Sequence, residues 1–553
     1  MTMISTRYLR GAAAGLLLGL VALPAAAQSF RVQCPSSTTL HPTEVSSTYS
    51  GPVPVTKTIT RSDGTTYTLP YVDNGGGIKC QQISGGDGFA TMGDGTPTYL
   101  FGFGPLSGLK DMASGQPGTE LPSVFKSDNS SAANLAALFV GAPINQTSQA
   151  LDPLYAFNAA VGVVPDPEAP TACTSGAPTA CLTGHVDPRM IMDVGVMNAN
   201  MPAPLMAIDE DDEFFLTLTN VGQVMRPDLF EQHTVHFHGY PNASAFYDGV
   251  PDASIAINVG GSFSYYYLAP DAGTYFWHCH ISPPEHLEMG MVGQLFVRPR
   301  QNRVANGADL GVALKLQQND PRTRCDGDVL CAAPLPATAN ATTGSTGVLH
   351  VTGRKYAYND GDGSTRYDVE YPIQIHGFDP NFHFVGMTFN PESFTDLKHK
   401  YFLLNGRSYP DTVSAGTMTT QSTDGTLHAS QPLPTIINIP AGGRALLRIS
   451  DLDVAEFQTL ASIGIPMRVI GMNAKLLRDM AGKDMTYLTN SITLGGGESV
   501  DVILDATGYP AGKKFYLYTP NLDHLSNDAE NFGGLMTEVN ICNAVDPTTK
   551  QCS

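Results

Sequence analysis

Positive charge is scarce in this chain. Of its 553 residues 31 are Lys or Arg against 51 Asp or Glu, a formal net charge of −20. An acidic surface of that size repels nucleic acid and anionic membranes, and it favours cationic donors or basic electron-transfer proteins. Beyond residue 23 there is no apolar run long enough to cross a bilayer, so no membrane span is expected. Sustained 3.6-residue periodicity is missing as well. Gly 56 and Pro 40, interleaved with short Val, Ile, Thr, Tyr and Phe runs, argue for β-sandwiches over helix bundles. Tryptophan occurs once, at Trp277, so intrinsic fluorescence reports on one place. After residue 300 the histidines are His350, His376, His383, His399, His428 and His524, and none forms an HxH or HxxHxH pattern.

Against these absences stand two dense segments. Residues 233–238 read HTVHFH, and residues 277–291 read WHCHISPPEHLEMGM. Two histidines, a Cys thiolate and a weak axial Met are the donors of a blue copper centre, in which soft sulfur selects copper and the site serves electron transfer. Successive strand residues face opposite ways, and residues two apart share a face. A strand over 275–281 turns Cys279 one way and His278 and His280 the other, and the same rule puts His236 and His238 on one face with His233 opposite. Two groups follow. His233, Cys279, His286 and Met291 form a blue set, with Met289 a rival axial ligand, while His236, His238, His278 and His280 form an all-imidazole set suited to further copper. The peptide joining Cys279 to its flanking histidines is then a covalent path for electrons.

At these residues the chain resembles the multicopper oxidases of the laccase and copper-resistance type, built from cupredoxin domains. The likeness extends through Asn198–Asn220, the HFHG run at 236–239, Tyr247–Pro251, Gly260–Phe263 and Gly273–Tyr275. It continues in Leu404–Arg407 with Pro410 and Asp411, and in Ile439–Gly442 with Arg444, covering about 190 to 545. The resemblance implies an all-β fold of tandem cupredoxin-like Greek-key β-sandwich domains with an N-terminal extension. It also implies a copper oxidoreductase in which Cys279 and His286 carry the electron transfer, with His286 nearest the surface as the point where electrons enter. A phenol or a reduced metal ion is the implied donor and dioxygen the implied acceptor. The family normally supplies eight histidines to a trinuclear cluster, and here one pair of motifs is visible; Asp451–Ala474, where a partner domain would carry ligands, offers Gln458 and no histidine. Pro283 and Pro284 lengthen the step from Cys279 to His286. Two alternatives stay open. One is a copper nitrite reductase-like homotrimer, with His238 and His278 joined by a neighbour's His376, His383 or His524; the other is a non-enzymatic blue-copper carrier.

Arg7 and Arg10, the apolar run 11–23 and the small-residue exit at 24–28 have the layout of a secretory signal, so export to the periplasm or outside the cell is expected. Of nine Cys, eight remain beside Cys279, an even set fitting an oxidising compartment. Close spacing suggests Cys173–Cys181, Cys325–Cys331 and Cys542–Cys552, leaving Cys34–Cys80, although spacing does not fix connectivity. The expected organisation is a signal at 1–27, an N-terminal extension at 28–187, a copper domain at 188–300, a linker at 301–345, a second cupredoxin-like domain at 346–545 and a tail at 546–553. Met190, Met192, Met197, Met201 and Met206 read as core filling in preference to a soft copper patch.

Overall fold

The computed structural model describes residues 31–553 apart from 62, 128–157, 162, 165–182, 187, 240–243, 270, 319–333, 389–392, 424 and 426. The expected signal at 1–27 and the pairs Cys173–Cys181 and Cys325–Cys331 lie outside the described residues. Strands dominate. The first body contains β1 (Ile78–Thr91), β2 (Pro97–Pro105), β3 (Met206–Asp209), β4 (Glu213–Gly222), β5 (His236–Phe237), β6 (Ser262–Leu268), β7 (Gly273–His278) and β8 (Val292–Arg298). They form two four-stranded sheets, ordered β6-β4-β1-β2 and β5-β7-β8-β3. Residues expected to form an N-terminal extension thus supply β1 and β2 to a sheet of the first body, with β1 parallel to β4.

Burial explains the strand choices. Every residue of β4 is buried, as expected for an inner strand covered on both faces. Its polar side chains are satisfied in place: Thr217 and Thr219 pair with Ser264 and Ser262 of β6 at 2.7 and 2.6 Å. Asn220 donates to the carbonyls of Glu231 and Ile257, and Ile257 in turn exchanges backbone hydrogen bonds with His233. A side-chain anchor on the sheet therefore places the first copper-ligand candidate.

The chain then departs from the strand expected over 275–281. β7 ends at His278, and Ser282 takes a left-handed φ of 38°. A short helix α1 (Pro283–Glu288) follows, with the two prolines in its first turn. Proline fits there because the first helical N–H groups have no partner within the helix. Within 301–345, read from sequence as a linker, α2 (Leu310–Gln317) is capped by Asp309, which accepts from the N–H groups of Gly311 and Val312.

The second body holds β9 (Val369–Phe378), α3 (Pro380–Gly386), β10 (Tyr401–Leu404), β11 (Ile437–Pro440), β12 (Arg444–Asp451), β13 (Gln458–Ile463), β14 (Met467–Met472), β15 (Ser491–Leu494), β16 (Ser499–Asp505), β17 (Lys514–Tyr518) and β18 (Met536–Cys542). A seven-stranded sheet runs β10-β9-β12-β16-β14 and ends in two short strands, and a five-stranded sheet runs β11-β18-β17-β13-β15. Each body has its own apolar core, around Trp277 in the first and around Ile373 and Leu447 in the second. A third cluster joins them, with Leu100, Phe276 and Val292 against Phe378, Tyr401 and Leu452. Polar ties reinforce the seam: Gln294 donates to the Arg448 carbonyl and Ser450, and Ser499 to the Thr274 carbonyl. Disulfides join Cys34 to Cys80 and Cys542 to Cys552. Met201 and Met206 are fully buried in the core. No described helix is long and apolar enough to cross a membrane.

Candidate metal centre

His233, Cys279 and His286 converge, each offering one donor atom within 4.8 Å of the others, and all three are fully buried. Both imidazoles aim Nδ1 at the sulfur, His286 at 3.3 Å and His233 at 3.9 Å. The outer Nε2 atoms of both rings are buried and make no hydrogen bond within the protein. Burial drives the His233 and His286 pKa values down, to about 4 for His286, and pushes the Cys279 thiol up to about 11. Neutral imidazoles and a sulfur that must shed its proton on binding are what a soft transition metal meets in such a site. The Thr234 N–H donates to Sγ at 3.5 Å, a contact of the kind that tunes a thiolate-bound metal. Cys279 is in no disulfide.

The second set sits on the opposite side of the same strand. Within the β5–β7 pair His236 faces His278 and Phe237 faces Trp277. His236, His238 and His278 bring donor atoms within 4.8 Å, and the Nε2 atoms of His238 and His278 lie 3.0 Å apart. Burial, with the neighbouring histidines adding to it, lowers His278 to about 3 and His238 to about 4. The other ring nitrogens are committed: His236 Nδ1 to the Asp248 carbonyl and His278 Nδ1 to the Cys279 carbonyl, both at 2.7 Å. Such outer bonds fix ring orientation and leave Nε2 for a metal. The His278 bond also links the second set to the ligand cysteine by a route shorter than the chain.

His280 stands beside this group, its ring centroid 5.0 Å from that of His236, without joining the convergent three. Met291 is buried in the core that holds Cys279, and its backbone bonds both neighbours, accepting from the Cys279 N–H and donating to the His286 carbonyl. Met289 is buried in the same core, and its sulfur lies 2.9 Å from where a Cβ on Gly386 would stand. His286, expected near the surface, is itself covered, and its Nε2 lies 3.9 Å from Glu231, whose side chain is partly exposed.

Several residues here escaped the sequence reading. Gly85 of β1 lies against His233, since a Cβ there would stand 2.9 Å from its ring, and Phe101 of β2 meets His286 edge-on at 5.8 Å. Their only signals were a glycine and an aromatic in a segment without a copper motif. The distant histidines proved to be committed within the chain. His376 bonds the Leu287 carbonyl, His383 the Glu288 carbonyl and His399 the Glu288 carboxylate. His524 bonds Gln458 and Asn521.

Residues 183–302 match the multicopper oxidase family. A multicopper oxidase of Talaromyces pinophilus is 30% identical over 138 residues, 24% of this chain and 21% of that protein. A copper-containing nitrite reductase of Rhizobium meliloti is 33% identical over 109 residues, 19% of this chain and 26% of that one. The matched stretch thus spans about a fifth to a quarter of these curated relatives. A blue copper oxidase structure from Nitrosomonas europaea aligns with 62% of this chain and 77% of its own at 20% identity and a TM-score of 0.40. Both donor groups lie inside the segment, residues 183–302, that is similar to the multicopper oxidase family.

Proposed function

We propose that the protein is an exported copper oxidoreductase that takes single electrons from a phenolic or metal-ion donor and delivers them to dioxygen. His233, Cys279, His286 and Met291 would hold its type 1 copper. His236, His238 and His278, with His280 alongside, hold the further copper. Copper at the first site would supply a one-electron change, and the protein supplies a buried pocket and the Cys279–His278 connection between the two sets. The observation that carries this reading is that adjacent residues of one strand terminus, bonded to each other at 2.7 Å through His278 Nδ1 and the Cys279 carbonyl, belong to two separate donor groups. The two disulfides fit a periplasmic or secreted location.

Copper per chain, measured with visible and paramagnetic spectra on one sample, tests the proposal. About two, blue and non-blue, supports it, and about four means that an oligomer completes a larger cluster. About one blue copper would instead mark an electron carrier with an empty histidine face. The double variant His236→Ala, His280→Ala should lose oxygen consumption and keep its colour. A nitrite reductase-like trimer requires a neighbour's histidine, and His376, His383 and His524 are each buried and hydrogen-bonded within their own chain.

A further inference from the structure

Helix α1 and the turn after it carry His286 and lead to Met291, so their placement decides where two of the blue-site ligands stand. The helix is six residues long, too short to hold its own shape in water. Part of what holds it comes from the first body, where the Phe101 N–H donates to the Met289 carbonyl, and the rest from the second body, which has no copper-ligand motif of its own. His376 of β9 bonds the Leu287 carbonyl at 3.0 Å, and His383 of α3 bonds the Glu288 carbonyl at 3.0 Å. The Asp379 N–H donates to Glu288 Oε1 at 2.9 Å, and His399 meets Glu288 Oε2 at 2.9 Å. His399 in turn lies 3.3 Å from Asp453, and the side chains of all three residues are fully buried. Asp453 is itself anchored, accepting from the Gln458 side chain and from the N–H groups of Ala455 and Glu456. Gly377 leaves room for the chain, since a Cβ there would come within 2.2 Å of His399 and 2.8 Å of Asp453.

We infer that the Glu288–His399–Asp453 chain is a positioning device for the blue copper loop, through which the second body sets the stance of His286 and Met291. Buried polar chains of this kind hold one arrangement when every member is satisfied and release it when one is removed. The inference rests on the reading of His233, Cys279, His286 and Met291 as copper ligands. His399 and Asp453 touch none of these, so they act through Glu288 as positioning residues. The Asp453 segment also lines, with His238, Leu287 and Gly497, a cleft of about 370 Å³ between the bodies, which places the far end of the chain beside the second histidine set.

The test compares full-length His399→Gln, Asp453→Asn and Glu288→Gln with a control, Glu370→Gln, which breaks the seam between the bodies at Arg298 and Arg448, away from the loop. In copper-free protein, amide exchange at Met289, Gly290 and Met291, taken relative to that of core amides in the same variant, should rise about tenfold in His399→Gln and Asp453→Asn and keep the parent ratio in the control. Once copper-loaded, those two variants should keep the blue copper but show a changed charge-transfer band ratio and a shifted potential. Glu288→Gln, which keeps one oxygen for the Asp379 N–H but turns an amide NH2 toward His399, should change in the same direction as the other two. Equal exchange and equal spectra across all four, with only melting temperatures altered, would overturn the inference. A parent protein that binds no blue copper would refute the site reading instead, and the copper-free exchange rates would still decide the positioning role.

Discussion

Gly293 lies directly across from Trp277 in the β7–β8 pair, and the indole covers it. A Cβ at Gly293 would stand 2.6 Å from Cε2, 2.7 Å from Cζ2 and 2.9 Å from Nε1 of Trp277, where ordinary contact begins at 3.4 Å. For Gly293→Ala the ring must therefore retreat by roughly 1 Å in an interior packed as densely as an organic crystal. There is little space behind it. Trp277 is fully buried, with Phe103 at 4.9 Å and Phe237 at 5.9 Å between ring centroids. Overpacking of this kind costs about 1 to 3 kcal/mol. Because His278 and Cys279 follow Trp277 directly, the displacement reaches one donor of each copper set. Denaturant unfolding of the copper-free protein, followed by copper titration, should show the loss of stability and a weakened blue signal. Trp277→Phe shortens the ring that clashes. In a double-mutant cycle the combined variant should be more stable than the sum of the single effects by about 1 kcal/mol or more. Gly293→Ala within about 0.5 kcal/mol of the parent, or strict additivity in the cycle, would refute the reasoning.

Three further outcomes are expected. Glu370 pairs with Arg448 at 2.7 Å and Arg298 at 3.0 Å, and Arg448 is fully buried. Glu370→Gln removes the closer carboxylate and leaves Arg448 with Asp501 at 3.7 Å, so calorimetry should show a loss of about 2 to 3 kcal/mol, and a loss below about 1 kcal/mol would count against the ion cluster as described. Burial, with the charge of Asp111 adding to it, raises the Glu120 pKa from 4.5 to about 8. The folded chain then keeps a proton that the unfolded chain releases, so stability falls as pH rises from about 4.5 to about 8; Glu120→Gln should flatten that decline in a melting series, and an unchanged slope would exclude it. Gly497 has φ +87°, and a Cβ there would lie 2.5 Å from His238 Nδ1. Gly497→Ala should weaken the non-blue copper signal and spare the blue one, and equal loss of both would argue against two separable sites.

Much of the centre was readable from residue order, because strand geometry has a period of two and the ligands lie on or beside strands. The separation of Cys279 from His278, and of His233 from His236 and His238, follows from parity alone. It holds even though β7 stops at His278, since the Cys279 N–H still bonds the Met291 carbonyl just ahead of β8. The disulfides Cys34–Cys80 and Cys542–Cys552 match the pairing that cysteine spacing suggested. The Pro-Pro step was visible as an insertion, but its folding into a helix was not, because six residues have no helical stability apart from what packs on them.

The sequence by itself determined the donor types, their division into two groups and the acidic, strand-rich character of the chain. Those properties are local or compositional, written within a dozen residues or summed over all of them. Tertiary structure alone decided what surrounds the donors: Gly85 and Phe101 brought in from the N-terminal strands, Glu231 set outside His286, and His376, His383 and His399 closed over the ligand loop from the second body. His399 lies 111 residues from Glu288, and His383 lies 284 from Tyr99, whose carbonyl it also contacts. Contacts at such separation have no periodic signature. They arise from the mutual fit of whole sheets, in which a buried histidine takes its role from the polar group that folding sets against it.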